Sequence, residues 1–230
     1  MTICMDSVVT ARRATQPASG GAIPASMLHF RAGQWVDARA LVKRFHYSGR
    51  FPNSIKFIGT LHLAGGLFGD FGEAVAACVF TVPPTRWREE VLELSRLVRR
   101  EDARVPLTLL IARSCAKLKA AGHDLLVSFA SVAAGHHGGV YQAAGWRYHG
   151  RRDRSCDGVV VAGRFVPGKS CNTVWGTRSP EKLSALLRQD VQPHYDEGKH
   201  LYWRALGPAG ERKAERLELR RTQYPKEPKQ

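Results

Sequence analysis

Residues 124–146 read DLLVSFASVAAGHHGGVYQAAGW. The run 124–130 is nearly all apolar and short, the mark of a strand buried in a sheet. Gly135, Gly138 and Gly139 then interrupt the pattern, with His136 and His137 between them. A short helix over 140–144 follows, ended by Gly145, and Trp146 opens a further strand. This is a strand, a polar glycine-rich turn, a short helix and a strand, in that order.

Outward from this stretch the same mixed character continues. Pro106 opens an amphipathic helix over 107–121, with Leu107, Leu110, Ile111, Cys115 and Leu118 on one stripe and Gly122 as its stop. A charged loop, 99–105, precedes it, and before that 91–98 alternates as a strand. In that strand Glu93, Ser95 and Leu97 face one way and Arg96 the other. Strands over 55–63 and 73–82 flank a glycine-rich connection, 65–70, and form an antiparallel hairpin ended by Pro83 and Pro84. A helix over 35–45 runs into the polar loop His46-Tyr47-Ser48-Gly49-Arg50. Downstream, 159–165 reads as a strand. Ser179 caps a helix beginning at Pro180, and 200–206 reads as the last strand. The chain is therefore mixed α/β. Residues 1–26 form a loosely held arm, 27–206 the single folded domain, and 207–230 a basic tail that packs weakly.

Composition narrows the class. Hydrophobic residues are 43% of the chain, which suits a globular protein rather than a disordered one. The longest apolar runs fall far short of the ~20 residues of a membrane span. Arg12 and Arg13 are not followed by the apolar core of a secretory leader, so the expectation is a soluble cytoplasmic protein. None of the five cysteines forms a Cys-x-x-Cys pair, which argues against a zinc ribbon or a thioredoxin-like site. The net charge of +15, carried more by arginine than by lysine, favours a polyanionic partner. Nucleic acid is the commonest such partner. Arg147, Arg151, Arg152 and Arg154, interleaved with Tyr148 and His149, form a basic-aromatic patch suited to phosphates and displaced bases.

The segment Val140-Tyr141-Gln142-Ala143-Ala144-Gly145-Trp146 resembles the signature of GNAT acyltransferases, where a tyrosine on a short helix precedes a Gly-aromatic pair. That resemblance implies a central mixed, splayed sheet flanked by helices, with Tyr141 as general acid. In the same superfamily a glycine-rich loop binds the acyl-CoA pyrophosphate. Here the corresponding residues, 99–106, contain no glycine and include Glu101 and Asp102. Arg99, Arg100 and Arg104 remain as side-chain phosphate ligands. Ser114, on the stripe of the following helix, either contacts the cofactor or bonds back to a helix carbonyl.

With that departure the chain resembles the bacteriophage Mom family. Phe45-His46-Tyr47-Ser48, Glu93-Leu94-Ser95-Arg96-Leu97, Leu126-Val127-Ser128-Phe129-Ala130 and Gly135-His136-x-Gly138-x-Val140-Tyr141-Gln142 carry the likeness, in order. Trp175-Gly176-Thr177-Arg178-Ser179 and Tyr224-Pro225-Lys226 extend it to the end of the chain. The resemblance implies a DNA-modifying transferase that converts adenine to N6-carbamoylmethyladenine and so protects phage DNA from restriction. Double-stranded DNA is then the partner, and Tyr141, His46, Tyr47 and Ser128 surround a flipped base. Iron is suggested for the family, with His136 as the candidate ligand here. Relatives carry an acidic residue where this chain has Ser131. Two rival readings stand beside this one: an acyl-CoA-dependent N-acetyltransferase, and a non-catalytic DNA-binding protein on the same scaffold.

Overall fold

The computed structural model describes residues 21–65, 71–83, 87 and 90–225. In chain order the first elements are β1 (Leu28–Ala32), α1 (Trp35–Phe45), β2 (Ile55–Ala64), β3 (Phe71–Thr81) and β4 (Leu92–Arg99). Next come α2 (Leu107–Ala120), β5 (Leu125–Ser131), α3 (Gly139–Ala143) and β6 (Arg147–Arg152). The chain continues with β7 (Cys156–Val161), β8 (Arg164–Pro167), α4 (Gly168–Trp175) and α5 (Pro180–Leu187). It closes with β9 (Val191–Tyr195), β10 (Lys199–Ala205) and α6 (Pro208–Arg216). A seven-stranded sheet runs β1-β2-β3-β4-β5-β10-β6, and a three-stranded sheet runs β8-β7-β9. In the large sheet β4 and β5 are the parallel pair, joined through α2; the other neighbours are antiparallel. The expected mixed sheet flanked by helices is what forms.

The two-residue period of β3 distributes the core. Ala76, Cys78 and Phe80 pack on the side of α2, with Leu110, Ile111 and Leu118. Ala77 and Val79 face α1, with Ala38, Leu41 and Val42. Gly59 on β2 lets α2 come close: a Cβ there would lie 2.5 Å from Ser114 Oγ. On β5 and β10, Val127, Leu201 and Trp203 pack with Ala214 of α6 and with Leu219.

What positions the site is the parting of β4 from β5. The two strands share only two aligned pairs, Leu92↔Leu126 and Glu93↔Val127. Immediately beyond, β4 carries a bulge at Ser95, because Val79 opposes Arg96 while Phe80 opposes Leu94. A bulge bends its strand and re-aims side chains. Ser95 Oγ donates to the Val79 carbonyl at 3.2 Å. Where the ladder ends, Ser128 Oγ on β5 donates to the Leu94 carbonyl on β4 at 2.8 Å. A side chain thus replaces the next main-chain bond, and past it the strands diverge.

Several sequence expectations are corrected. The stretch 159–165 is not one strand: Ala162 and Gly163, at φ 48° and 75°, turn it into the β7–β8 hairpin. Two residues in the left-handed region are what a tight hairpin turn demands. β1, α4 and β9 were not foreseen. Residues read as a weakly packed tail instead form α6, and Tyr224 donates to the Trp146 carbonyl at 2.7 Å. Of the N-terminal arm, residues 1–20 lie outside the described residues, as do 66–70 of the glycine-rich hairpin connection and Cys4. Ile23 is held, its N–H donating to the Arg104 carbonyl at 3.0 Å. Among the described residues no helix is long and apolar enough to cross a membrane.

Ser128→Ala leaves the buried Leu94 carbonyl unsatisfied, which costs about 1–3 kcal/mol. Urea unfolding should show a lowered midpoint with unchanged slope. A change under about 0.5 kcal/mol, the level of an ordinary surface substitution, would show that the junction is held by something else.

Candidate active site

The parted ends of β4 and β5 open a cleft of about 540 Å³. Its walls are Leu94 to Arg99 of β4 without Arg96, Phe129 and Ala130 of β5, the Gly135–Gly139 turn, Val140 and Tyr141 of α3, and Phe45, His46 and Tyr47 after α1. The cleft thus gathers, from the end of α1 and from α3, three of the four residues that sequence placed around a substrate: His46, Tyr47 and Tyr141.

His46 follows directly on α1, its N–H capping the helix through the Val42 carbonyl at 3.2 Å. Its Nδ1 accepts the Ser48 N–H at 3.2 Å and lies 2.9 Å from Ser48 Oγ. Accepting at Nδ1 leaves the proton of the neutral ring on Nε2. Burial, reinforced by the Arg96 and His136 charges, pushes the His46 pKa down to about 4. At neutral pH this imidazole is therefore an uncharged N–H donor. Tyr47 stacks on His46 with ring centroids 4.3 Å apart and meets His136 edge-on at 5.2 Å. Burial raises its pKa in spite of the neighbouring Arg96 guanidinium.

Tyr141 is 8% exposed and touches Trp146 at 5.5 Å and Tyr202 at 5.3 Å between ring centroids. Burial lifts its pKa to about 12, and its hydroxyl is within hydrogen-bonding reach of Ser128. The histidine turn rests on Tyr202, whose hydroxyl donates to the His137 carbonyl at 2.5 Å and accepts from Gln142 Nε2 at 3.1 Å. Gly138 sits at φ 85°, and a Cβ there would run into the Tyr202 ring. Only glycine fits that position.

A groove of about 640 Å³ adjoins the cleft and shares Tyr47, Ser95 and Phe129 with it. Glu93, Arg96, Ser131, Arg151, Arg152, Arg154 and Lys199 line it. The bulge at Ser95 breaks the alternation of β4, so Arg96 joins Glu93 on the groove instead of facing away. Arg96 donates to the carbonyls of Arg50 at 3.0 Å and Ser95 at 2.7 Å. The Glu93 carboxyl has its pKa raised by burial, which outweighs the pull of Lys199 and Arg96. Arg151 donates to the Glu197 carbonyl at 2.6 Å, and Arg152 lies over the Phe129 ring at 5.7 Å.

Other candidates are placed elsewhere. Ser128 is 0% exposed with its hydroxyl given to the Leu94 carbonyl, so it lies in the core beside Tyr141 and does not line the cleft. Ser114 is also 0% exposed, wedged between Gly59 and Cys78 Sγ, which is 3.1 Å from its hydroxyl; it is a core residue, not a cofactor contact. Arg147 ion-pairs with Glu211 and lies over the Trp203 ring at 4.7 Å, which ties it to α6 and away from the groove. Arg104 is exposed and outside the cleft, whereas Arg99 lines it. Sequence reasoning missed Lys199, because nothing local to β10 announces that it faces β4.

In the loop 99–106 several of the groups that could meet a phosphate are already engaged. Ala103 and Val105 N–H groups bond the Arg100 and Ala103 carbonyls, residue 106 is proline, and no residue of the loop is left-handed. Arg100 bridges Asp102 at 2.5 Å and also pairs with Glu73, so two carboxylates occupy its guanidinium. Nor is a metal site assembled around His136: among the described residues no group of three or more His, Cys, Asp or Glu converges. His136 instead packs edge-on against Tyr47.

Among solved structures, the chain is similar to the GNAT family N-acetyltransferase YhbS from Escherichia coli in complex with CoA. Identity is 14% over 83% of this chain and 87% of that one, at a TM-score of 0.45. It is also similar to the ribosomal-protein-S18-alanine N-acetyltransferase from Escherichia coli, with 11% identity, 80% and 97% coverage and a TM-score of 0.45. An N-acetyltransferase from Staphylococcus aureus Mu50 gives 13% identity, 78% and 99% coverage and a TM-score of 0.43. These likenesses are distant, and what those enzymes bind or acetylate stays with them. No curated protein matches the chain in sequence. The model of the Mom protein family matches residues 28–226, nearly the whole chain, and the chain belongs to that family.

Proposed function

We propose that this chain is a transferase that modifies adenine in DNA, placing a carbamoylmethyl group on the N6 amino nitrogen. One observation carries the reading: a nucleoside-sized cleft holding uncharged His46, Tyr47 and Tyr141 opens directly onto a groove lined by Arg151, Arg152, Arg154 and Lys199. The cleft volume falls in the range of small-ligand sites, roughly 300–1,000 Å³. A base turned out of a duplex is read in such a pocket by stacking and edge hydrogen bonds. Tyr47 and His136 supply the aromatic wall, and His46 Nε2–H supplies a donor for a ring nitrogen. The arginines of the groove hold the phosphates that flank the flipped base.

Chemistry at N6 needs a base for the departing proton. In this reading Glu93 fills that role, since a carboxylate with a raised pKa is the better acceptor. It stands in the same groove as Ser131, where the family resemblance places an acidic residue. The N6 nitrogen bonds to the methylene carbon of a carbamoylmethyl donor, the leaving group departs with the bonding electrons, and the N6 proton passes to Glu93. Tyr141 keeps its proton until about pH 12 and is the acid available to the leaving group. An acyl-CoA acetyltransferase reading has to do without the superfamily's glycine-rich loop, since 99–106 contains no glycine.

DNA recovered from cells expressing the protein should contain a nucleoside heavier than deoxyadenosine by a carbamoylmethyl group, detected by mass spectrometry. Tyr141→Phe should lower its yield by about 100-fold or more, the usual scale of general acid catalysis. Unmodified DNA from folded, expressed protein, or full modification by Tyr141→Phe, would contradict the assignment.

Rate against pH provides a second check. A base must be deprotonated to act, and the Glu93 pKa is raised. Activity should therefore fall on acidification above the ordinary Glu range near ~4.3, before His46 protonates at about 4. Glu93→Gln should remove this acid limb together with most of the rate. A wild-type rate that is flat from neutrality down to pH 4 would exclude Glu93 as the base.

A further inference from the structure

Past the arginine groove the channel widens. The groove shares His149, Arg152 and Ser155 with a cavity of about 1410 Å³ on its far side. Cleft, groove and cavity therefore adjoin in series, each sharing a wall with the next. They lead from the gap between β4 and β5, across the end of β6, to the turn between α4 and α5. Asn172, Thr177 and Arg178 come from α4 and that turn, and Arg220 from the segment after α6.

Three properties of the far cavity point to its ligand. Its volume exceeds the roughly 300–1,000 Å³ of a pocket for one small molecule. Its cations are available: among the described residues Arg152, Arg178 and Arg220 have no carboxylate partner, whereas Arg100, Arg147 and Arg216 do. Glu218 is the acidic residue on this wall. Its polar groups are turned to donate. His149 Nδ1 accepts the Arg220 N–H at 3.0 Å, so the ring presents Nε2–H, and burial beside Arg220 and Arg152 lowers its pKa. Thr177 Oγ1 accepts the Ser179 N–H at 3.2 Å, which leaves its own proton to give. Charged forks and neutral donors suit a ligand made of acceptors, and a phosphodiester is one.

We propose that this cavity is a second nucleic-acid subsite, which holds the sugar-phosphate backbone of nucleotides flanking the target base on the same strand. The proposal rests on the nucleic-acid reading of the groove, and continuity with the cleft favours a strand over a free nucleotide. A strand running from cleft to cavity passes Phe129 and His149, consistent with sequence-tolerant stacking along a positive groove.

The test uses the full chain with fluorescently labelled single-stranded oligodeoxynucleotides of three and nine residues, each with a central adenine. Binding is followed by anisotropy across salt concentrations. The nonamer should bind at least about tenfold tighter than the trimer, because only it reaches the cavity. Arg178→Ala with Arg220→Ala should weaken nonamer binding roughly tenfold. It should also flatten the salt slope by about 1.4, at ~0.7 per phosphate lost, and leave the trimer unchanged. Arg178→Lys with Arg220→Lys keeps the slope, which separates charge from folding. Equal affinity for trimer and nonamer, or an alanine pair with wild-type affinity and slope, overturns the subsite. So does loss of the length dependence in millimolar adenosine monophosphate, which would mark a free-nucleotide pocket. If the length and salt effects appear while no modified nucleoside is ever made, the subsite stands and the proposed reaction falls.

Discussion

The site depends on a parallel strand pair that stops pairing after two residues. β4 and β5 are aligned at Leu92↔Leu126 and Glu93↔Val127 and then separate. Two local devices set the point of separation: the extra residue at Ser95, which bends β4, and the Ser128 hydroxyl, which takes the Leu94 carbonyl that a straight ladder would have used. Without the bend there would be no gap for a ligand. Without the hydroxyl a buried carbonyl would be left unpaired at the mouth of the gap, a costly defect in a dry core. The same serine lies beside the Tyr141 hydroxyl, so the interaction that ends the ladder sits next to the tyrosine of the cleft.

Around that gap the protein separates two electrostatic regimes. The chain carries a net charge of +15, yet burial holds His46 uncharged in the cleft and Tyr47 and Tyr141 keep their protons there, with Arg99 as the cation on its wall. Most of the cations stand one step outside, with Arg151, Arg152 and Lys199 on β6 and β10 exposed along the groove. A polyanion attracted to the surface can therefore place an uncharged base in the cleft while its phosphates stay on the arginines. That division matches the general rule that phosphate contacts position a nucleic acid while base contacts define it.

Much of this was legible in the sequence, for identifiable reasons. The helix over 35–45 and the stretch 124–146 carry strong local patterns, and the structure forms α1, β5 and α3 there. The missing glycine in 99–106 was visible directly, and no residue of that loop adopts a left-handed conformation. Long-range contacts were not legible. A bulge is one surplus residue with no signature of its own, so Arg96 was assigned to the wrong face of β4. The β7–β8 turn hides inside a run of valines, since Ala162 adopts a conformation that its identity does not advertise. Arg147 looked like its arginine neighbours, but its partner Glu211 lies 64 residues away. Ser114 and Ser128 were both read as possible ligand contacts, because sequence alone does not show which serines a core will enclose.

The central claim is that a target adenine lies between β4, β5 and α3. It is tested most directly by photo-crosslinking a duplex that carries one azidoadenine, followed by peptide mapping. Crosslinks to Tyr47, or to the peptide holding His136 and Tyr141, are the predicted result. Crosslinks confined to the outer face of α1 or to α6, with none in the cleft, would contradict it.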